Sequence, residues 1–203
     1  AVLKLAQDGL VRLDGPIGPL LPEFEHTDKH DITPAQLLLH SAGLPAHREY
    51  FSALSDLPRK KRRQALLQLL ADEKLENEPG KKQVYSDLGY MILSYLVEVV
   101  SQKRLDLFVR DVLYVPLGVE GLFFVDLENE SGAFPGAKPI AVAATEDCPR
   151  RRRLIKGMVH DDNAYEAGGI EGQAGLFGTT SAVARFLSEL MNIYRGETVS
   201  DVL

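Results

Sequence analysis

A stripe of apolar side chains between residues 88 and 100 is the clearest pattern in the sequence. Its members follow the spacing i, i+3, i+4, i+7, i+8, i+11 and i+12, which places them on one face of an α-helix. They are Leu88, Met91, Ile92, Tyr95, Leu96, Val99 and Val100. The stripe predicts a helix that packs against the core of the protein.

Capping and stop signals predict five further helices, mostly shorter. Their limits are Ala1 to Gly9, Thr33 to Gly43, Ser55–Asp56 to about Leu75, Asp106 to Pro116, and a last helix through Val183 and Tyr194 that ends at Gly196. Short apolar segments bounded by Gly, Pro or Asp predict minor strands. These segments are 122–125, 140–144 and 154–159. The pattern predicts a mainly α protein with a small insertion that is poor in strands.

Composition narrows the function classes. The chain has 203 residues and a formal net charge of −6, so one domain is the default and general binding to phosphate backbones is disfavoured. The single cysteine, Cys148, excludes an internal disulfide and a zinc site built from several cysteines. The apolar runs are far shorter than the ~20 residues that cross a bilayer, so no membrane-spanning helix is predicted.

Two basic runs, 59–63 and 150–153, leave alternatives open. Such runs are typical of a nucleic-acid or nuclear-targeting patch, or of a solvated helical turn and an exposed loop. The overall acidity and the lack of interleaved aromatic residues favour the second interpretation. The glycine-rich segment 168–178 contains neither G-x-G-x-x-G nor a Gly-Lys-Ser/Thr triplet, so it predicts close backbone approaches rather than a phosphate-binding loop.

Candidate chemistry lies among the histidines and at one tyrosine. His26 and His30 have i, i+4 spacing, but the polar residues around them predict a loop, and no H-E-x-x-H motif occurs, so no metal site is predicted. Tyr85 comes directly before the apolar helix, followed by Ser86 and Asp87. Either Ser86 or Asp87 is a simple helix cap with Tyr85 packed beside it, or Tyr85 is a general base at a helix start.

Three stretches in order resemble the serine β-lactamase-like hydrolases, a family of class C β-lactamases, esterases and penicillin-binding-protein-like enzymes. Ile32–Pro45 is similar to the family's I-T-x-x-x-L-L-x-H-x-S-G-L-P segment. Pro79-Gly80 followed by 85–90 resembles P-G-x…Y-S-N-x-G-Y, and Pro116-Leu117-Gly118 follows the expected helix. Residues 159–164 and 172–179 resemble the V-H-D-x-N-A…G-H-A-G-L-F-S-T of one branch.

The chain departs from this family in several places. No serine is followed by lysine three residues later, and the Lys/His-Ser/Thr-Gly strand motif is absent. Asp87 stands where the motif usually has Asn, and Gln173 stands where the branch has His. The chain begins at Ala1 without a methionine, and its first residues resemble the tail of the helix that carries Ser-x-x-Lys. We therefore expect residues 1–203 to be a single incomplete domain, the helical region of a β-lactamase/transpeptidase-like fold with a few short strands and most of its α/β sheet missing.

The resemblance implies that the parent protein is a serine hydrolase acting on an amide or ester through an acyl-enzyme. Tyr85 would be the general base and Asp87 would orient the missing lysine or the substrate amide. His160, Asp161 and Asn163 would contact substrate or brace the site. The substrate would be a β-lactam, a D-amino-acid peptide or a small ester, and residues 1–203 alone would be inactive. A non-catalytic binding or scaffold domain is the alternative.

Further expectations concern partners. The resemblance implies no cofactor and no metal, and the partner would be a small-molecule or peptide substrate rather than nucleic acid. The truncated fold should expose apolar surface near the first and last helices, which predicts self-association. The compartment, cytoplasmic or periplasmic in a bacterium, is left undetermined by the sequence.

Overall fold

The computed structural model describes residues 1–128 and 141–197. This part of the chain is mainly helical, as the sequence predicts. Its α-helices are α1 (Val2–Gln7), α2 (Pro34–Leu38), α3 (Phe51–Ser55), α4 (Arg59–Asp72), α5 (Asp87–Ser101), α6 (Leu105–Val109), α7 (Asp162–Glu166) and α8 (Thr180–Tyr194). A 3₁₀ turn at Pro22–Phe24 and a π-helical turn at Arg110–Tyr114 accompany them.

Helix α5 is the centre of the fold. The apolar stripe predicted from the sequence is buried, with Leu88, Met91, Ile92 and Leu96 fully inaccessible to solvent. Helices α1, α2, α4 and α6 all pack against it. Such a helix gains most of its stability from the burial of its apolar surface, at roughly 25 cal/mol per Å².

The segment before α5 is anchored to α2. Helix α2 begins with the predicted cap, because the Thr33 side chain accepts a hydrogen bond from Gln36 N while Gln36 Oε1 accepts one from Thr33 N. It ends at Leu38, earlier than predicted. Gly43 instead permits a close approach: it has φ +80°, and a Cβ there would lie 2.1 Å from the carbonyl oxygen of Asn77.

Three further helix boundaries differ from the prediction. Ser55 ends the unpredicted helix α3, and α4 begins after Pro58, whose extended backbone (ψ 136°) separates the two helices. The end of α4 is Asp72 rather than Leu75. Asp106 does not cap α6, because its carboxylate accepts hydrogen bonds from the Arg104 guanidinium instead.

The strands form two small antiparallel pairs. In the first, β1 (Leu122–Phe124) pairs with β4 (Leu176–Gly178), so Phe123 lies opposite Phe177. In the second, β2 (Ala144–Cys148) pairs with β3 (Arg153–Lys156). The segment predicted as a strand from Ile140 begins outside the described residues and shares only Ala144 with β2.

Several arginines of the two basic runs form ion pairs within the protein. Arg150 donates hydrogen bonds to Asp162 and Glu166, at 2.9 and 2.6 Å. Arg151 binds Asp162 as well, and from α4 the Arg62 guanidinium reaches Glu166. These ion pairs attach the β2–β3 hairpin and α4 to α7. Most residues of both runs are exposed, as the interpretation of a solvated turn and an exposed loop predicts, while Arg62 and Arg151 are part-buried against carboxylates.

One face of α8 is apolar and exposed in the described part of the chain. Its side chains recur with the spacing i, i+4, i+8 and i+11 on one side of the helix; they are Val183, Leu187, Met191 and Tyr194. Leu3 of α1 is also exposed. None of the helices in residues 1–128 and 141–197 is both long enough and apolar enough to span a membrane.

We expect this apolar face to cause self-association in solution, because adjoining exposed apolar side chains gain free energy when they leave water. Light scattering over a concentration series should show the mean mass rising with concentration, and Leu187→Glu should reduce that rise. Leu154→Glu is the matched control, since Leu154 is equally exposed (55% against 53%) but lies on β3. A strictly monomeric particle at high concentration would contradict the prediction.

Candidate functional site

The Tyr85-Ser86-Asp87 triplet lies where the chain enters α5. Tyr85 is 74% exposed, whereas Ser86 is buried at the N-cap position. The Ser86 hydroxyl donates to the carbonyl oxygen of Pro45 at 2.6 Å and makes no capping bond to the helix. Ser86 therefore ties the triplet to the 45–46 segment, and the Tyr85 side chain is the one presented to solvent.

His40 holds the residues on both sides of Tyr85. Its carbonyl oxygen accepts a hydrogen bond from Val84 N at 2.8 Å, and its Nδ1 accepts one from Ser86 N at 3.1 Å. The imidazole lies against the Tyr85 ring, with 4.5 Å between ring centroids, and stacks on the Tyr90 ring at 5.1 Å. The sequence prediction placed His40 in a family motif without giving it a role.

Asp87 has a partner that the sequence did not indicate. Its Oδ2 lies 3.1 Å from Nδ1 of His47, and its backbone N donates to the carbonyl oxygen of Ala46 at 3.0 Å. The Asp87 side chain is 27% exposed and that of His47 is 48% exposed. The carboxylate that replaces the family's usual amide is thus oriented by a histidine from the loop after α2.

A cleft of about 220 Å³ lies in front of this arrangement. Its lining residues are His40, Tyr85, Ser86, Asp87, Tyr90, Gly172 and Gln173. Gly172 is needed there, because a Cβ at this position would lie 2.0 Å from the carbonyl oxygen of Tyr90. The structure therefore brings both predicted catalytic residues, Tyr85 and Asp87, to one cleft, and part of the glycine-rich segment forms its wall.

The predicted substrate-contacting residues occupy three different settings. Asp161 caps α7 by accepting from Ala164 N at 2.7 Å, and it reaches the cleft through a 3.3 Å hydrogen bond from Gln173 Nε2. His160 is exposed, lies 3.1 Å from a Glu146 carboxylate oxygen, and lines a neighbouring groove of about 550 Å³. Only Asp161 is linked directly to the wall of the cleft.

Asn163 is fully buried and its side-chain amide is bound on both sides. Its Oδ1 accepts a hydrogen bond from Phe51 N at 2.8 Å, and its Nδ2 donates to the carbonyl oxygen of Arg48 at 2.7 Å. The role of Asn163 at the site stays a prediction. Asn163 fastens α7 to the chain that enters α3.

Behind the cleft wall, Glu171 forms a buried ion pair that the sequence did not reveal. One carboxylate oxygen is 2.7 Å from Arg63 Nη1, and the other accepts from the Ser94 hydroxyl at 3.0 Å. Burial raises the pKa of Glu171 to about 7, an effect that the charge of Arg63 opposes. Glu171 therefore anchors Gly172 and Gln173 to both α4 and α5.

Metal binding has no support in the described ranges, 1–128 and 141–197. They contain no cluster of three His, Cys, Asp or Glu side chains that could hold a metal ion. His30 Nδ1 instead lies 2.8 Å from the carboxylate of its neighbour Asp31.

Comparison with protein families and curated proteins gives consistent matches. The family model described as "Beta-lactamase" matches residues 1–201. A protein of Escherichia coli K12 named "Putative D-alanyl-D-alanine carboxypeptidase" is 32% identical over 95% of this chain and 47% of its own length. A protein of the same name from Salmonella agona is 29% identical over 95% of this chain and 48% of its length. The chain thus spans about half the length of these relatives.

Solved structures share the fold at lower sequence identity. SurE matches all of this chain and 42% of its own, with a TM-score of 0.70 and 23% identity. A penicillin-binding protein from Bacillus halodurans matches 94% of this chain and 54% of its own, with a TM-score of 0.66 and 19% identity. The β-lactamase/transpeptidase-like fold expected from the sequence is confirmed by these matches.

Glu171 should make the stability of the protein fall as pH rises. The pKa of this carboxyl is raised from 4.5 to about 7 by folding, so the folded state retains a proton that the unfolded state releases. Its stabilising contribution is complete below about pH 4.5 and is lost as pH rises through about 7, a change on the order of 3 kcal/mol. Urea unfolding at pH 5 and pH 8 measures this loss.

Glu171→Gln is the matched control for this prediction. The amide keeps the shape of the side chain and cannot ionise, so the variant should lose much less stability between the two pH values than the unsubstituted chain. Equal losses in both proteins would show that another group is responsible.

Proposed function

The chain belongs to the beta-lactamase family, and from that membership we propose that it is the helical part of a serine hydrolase that cleaves an amide or ester through an acyl-enzyme. The observation that carries the proposal is the Tyr85-Ser86-Asp87 triplet at the start of α5. Its tyrosine is exposed beside a cleft and its neighbours on both sides are hydrogen-bonded to one histidine.

In this proposal Tyr85 is the general base. A serine hydroxyl attacks the substrate carbonyl and the tyrosine oxygen takes the hydroxyl proton. The bond from the carbonyl carbon to the leaving nitrogen or oxygen then breaks, the same proton passes to the leaving amine or alcohol, and the acyl-serine ester remains. Water then hydrolyses the acyl-enzyme. The proposal takes the serine and its activating lysine from the part of the relatives' length that this chain does not span.

Asp87 would orient that lysine or the substrate amide. A carboxylate accepts hydrogen bonds but donates none, whereas an asparagine at this position could do both. Asp87 is therefore suited to binding the lysine ammonium. The contact between His47 Nδ1 and Oδ2 of Asp87 orients the carboxylate. Asp161 would act through Gln173, and a substrate contact by His160 stays a prediction.

The substrate class is part of the proposal. The relatives from Escherichia coli and Salmonella are named as D-alanyl-D-alanine carboxypeptidases, so a peptide ending in D-amino acids is the first candidate. β-Lactams and small esters are the other two candidates, since all three classes present a carbonyl that a serine can attack to form an acyl-enzyme.

A non-catalytic binding domain is the second candidate. It is favoured by Asp87 and Gln173, which stand where the family motifs carry Asn and His. Turnover of a chromogenic β-lactam, a nitrophenyl ester and a D-Ala-D-Ala peptide by the protein that contains this chain decides between the two. Hydrolysis above buffer supports the enzyme, whereas a folded protein with no turnover of any of them supports the binding domain.

Tyr85→Phe should lower the acylation rate of the active protein by roughly 10²–10⁴-fold, the usual contribution of a general acid or base. The exposed hydroxyl makes no hydrogen bond that the fold depends on, so the unfolding free energy should change little. Pre-steady-state release of the leaving group measures acylation directly. Tyr194→Phe, on α8, is the matched control and should react at the original rate; an equal rate in Tyr85→Phe would reduce Tyr85 to a packing role.

Residues 1–203 on their own should form no covalent adduct with a serine-reactive acylating probe. Covalent catalysis needs a serine beside an activating base, and Ser86 is buried with its hydroxyl donated to Pro45 O. Intact mass spectrometry after incubation with a penicillin or a fluorophosphonate tests this. A stoichiometric adduct would contradict the prediction, and peptide mapping would then identify the serine that reacted.

A further inference from the structure

His40 is bound to the peptide units on both sides of Tyr85. Its carbonyl oxygen receives the N–H of Val84 at 2.8 Å, and its ring nitrogen Nδ1 receives the N–H of Ser86 at 3.1 Å. The imidazole itself contacts the Tyr85 ring, with a tilt of 34° between the planes. A single residue therefore fixes the backbone before and after Tyr85 and also one face of its side chain.

His40 is in turn held by the buried part of the fold. It follows α2 in the left-handed region, with φ +56°, and its N–H donates to Leu37 O at 3.2 Å. The Tyr90 ring of α5 is stacked on the imidazole within 22° of parallel, and the Tyr90 hydroxyl donates to Leu38 O at 3.3 Å. The position of the imidazole is thus set by two helices that pack together.

The Ser86 hydrogen bond dictates the tautomer of the ring. A backbone N–H can only donate, so Nδ1 must carry a lone pair and the proton of the neutral imidazole lies on Nε2. A doubly protonated ring has no acceptor nitrogen and loses this bond. The other titratable groups that line the cleft are Tyr85, Tyr90 and Asp87, while the 172–173 wall contributes an uncharged glycine and glutamine.

We propose that His40 is the positioning residue for Tyr85, acting only as the neutral imidazole with its proton on Nε2. It holds the phenol at the start of α5 so that the hydroxyl meets the reacting group, and it does not itself take part in proton transfer. The consequence for catalysis rests on the proposed function, whereas the tautomer and the contact with Tyr85 can be measured without substrate.

The first test is nitrogen-15 NMR of the histidine rings at pH 8, with the His40 signals assigned by their disappearance in His40→Asn. We expect an unprotonated Nδ1, a protonated Nε2 and a nuclear Overhauser contact between the His40 and Tyr85 rings. A ring with its proton on Nδ1, or one that exchanges freely between tautomers, would overturn the proposal whether or not the protein is a hydrolase.

The second test compares substitutions in the hydrolytically active protein. His40→Ala should lower kcat by about 10²-fold with KM changed less than about threefold, since the phenol is misplaced while substrate binding is kept. His40→Asn should recover about tenfold of that loss, because asparagine tolerates positive φ and its Oδ1 can accept the Ser86 N–H.

His26→Asn is the control for the second test, because His26 is exposed in the loop after the 3₁₀ turn and is not among the residues that line the cleft. It should keep the original kcat and KM. If His40→Ala does not fold, His40→Asn alone decides, with kcat expected about tenfold below that of the unsubstituted protein and KM changed less than about threefold. Equal kcat in all the variants would overturn the proposal. Absence of hydrolysis in the unsubstituted protein refutes the proposed function, and the NMR result then decides the positioning role.

Discussion

The burial of α5 on nearly every side is the constraint on which the rest of the structure depends. Residues 91–97 of this helix are all buried, including Ser94 and Tyr95. A helix with so little exposed surface must be covered from several directions, and α1, α2, α4 and α6 each supply a covering surface. The polar groups that α5 buries then need partners, and Glu171 and Arg63 O satisfy the hydroxyls of Ser94 and Tyr95. Packing and polar satisfaction at α5 therefore determine where both the helices and the 171–173 loop lie.

The candidate site follows from this arrangement, because it occupies the end of α5 that the other helices leave open. Tyr85 and Asp87 are brought there by their position in the sequence. Other parts of the site come from distant segments. The loop after α2 supplies His40 and also His47, which contacts Asp87, and the segment anchored by Glu171 supplies Gln173. The arginines of α4 and of the 150–153 loop hold α7 beside it, where Asp161 and Asn163 make their hydrogen bonds. Charged side chains thus join the segments that the apolar core does not reach.

The sequence predicts those elements whose cause is local. The apolar period of α5 and the Thr33 N-cap of α2 both depend on neighbouring residues, and both are confirmed. Helix α3 could not be predicted, because its first turn depends on the distant Asn163, which accepts the Phe51 N–H. The Tyr85-Ser86-Asp87 triplet is recognisable from a contiguous motif. The contacts of His40 and His47 with that triplet arise only when two loops fold against each other, so spacing along the chain gives no sign of them.

Gly172 fixes a dimension of the cleft in a way that side chains cannot adjust. A Cβ at this position would lie 2.0 Å from the carbonyl oxygen of Tyr90, so the loop and the helix meet main chain to main chain. Repacking of the core around α5 changes side-chain volumes but leaves this clearance unaltered. The width of the cleft at Gly172 is consequently unaffected by many of the substitutions that a hydrophobic core tolerates. Adaptation to a wider or narrower ligand would therefore require substitutions in the side chains that line the cleft, such as Gln173, which is adjacent to Gly172. The wall itself stays fixed by the backbone contact between Gly172 and Tyr90.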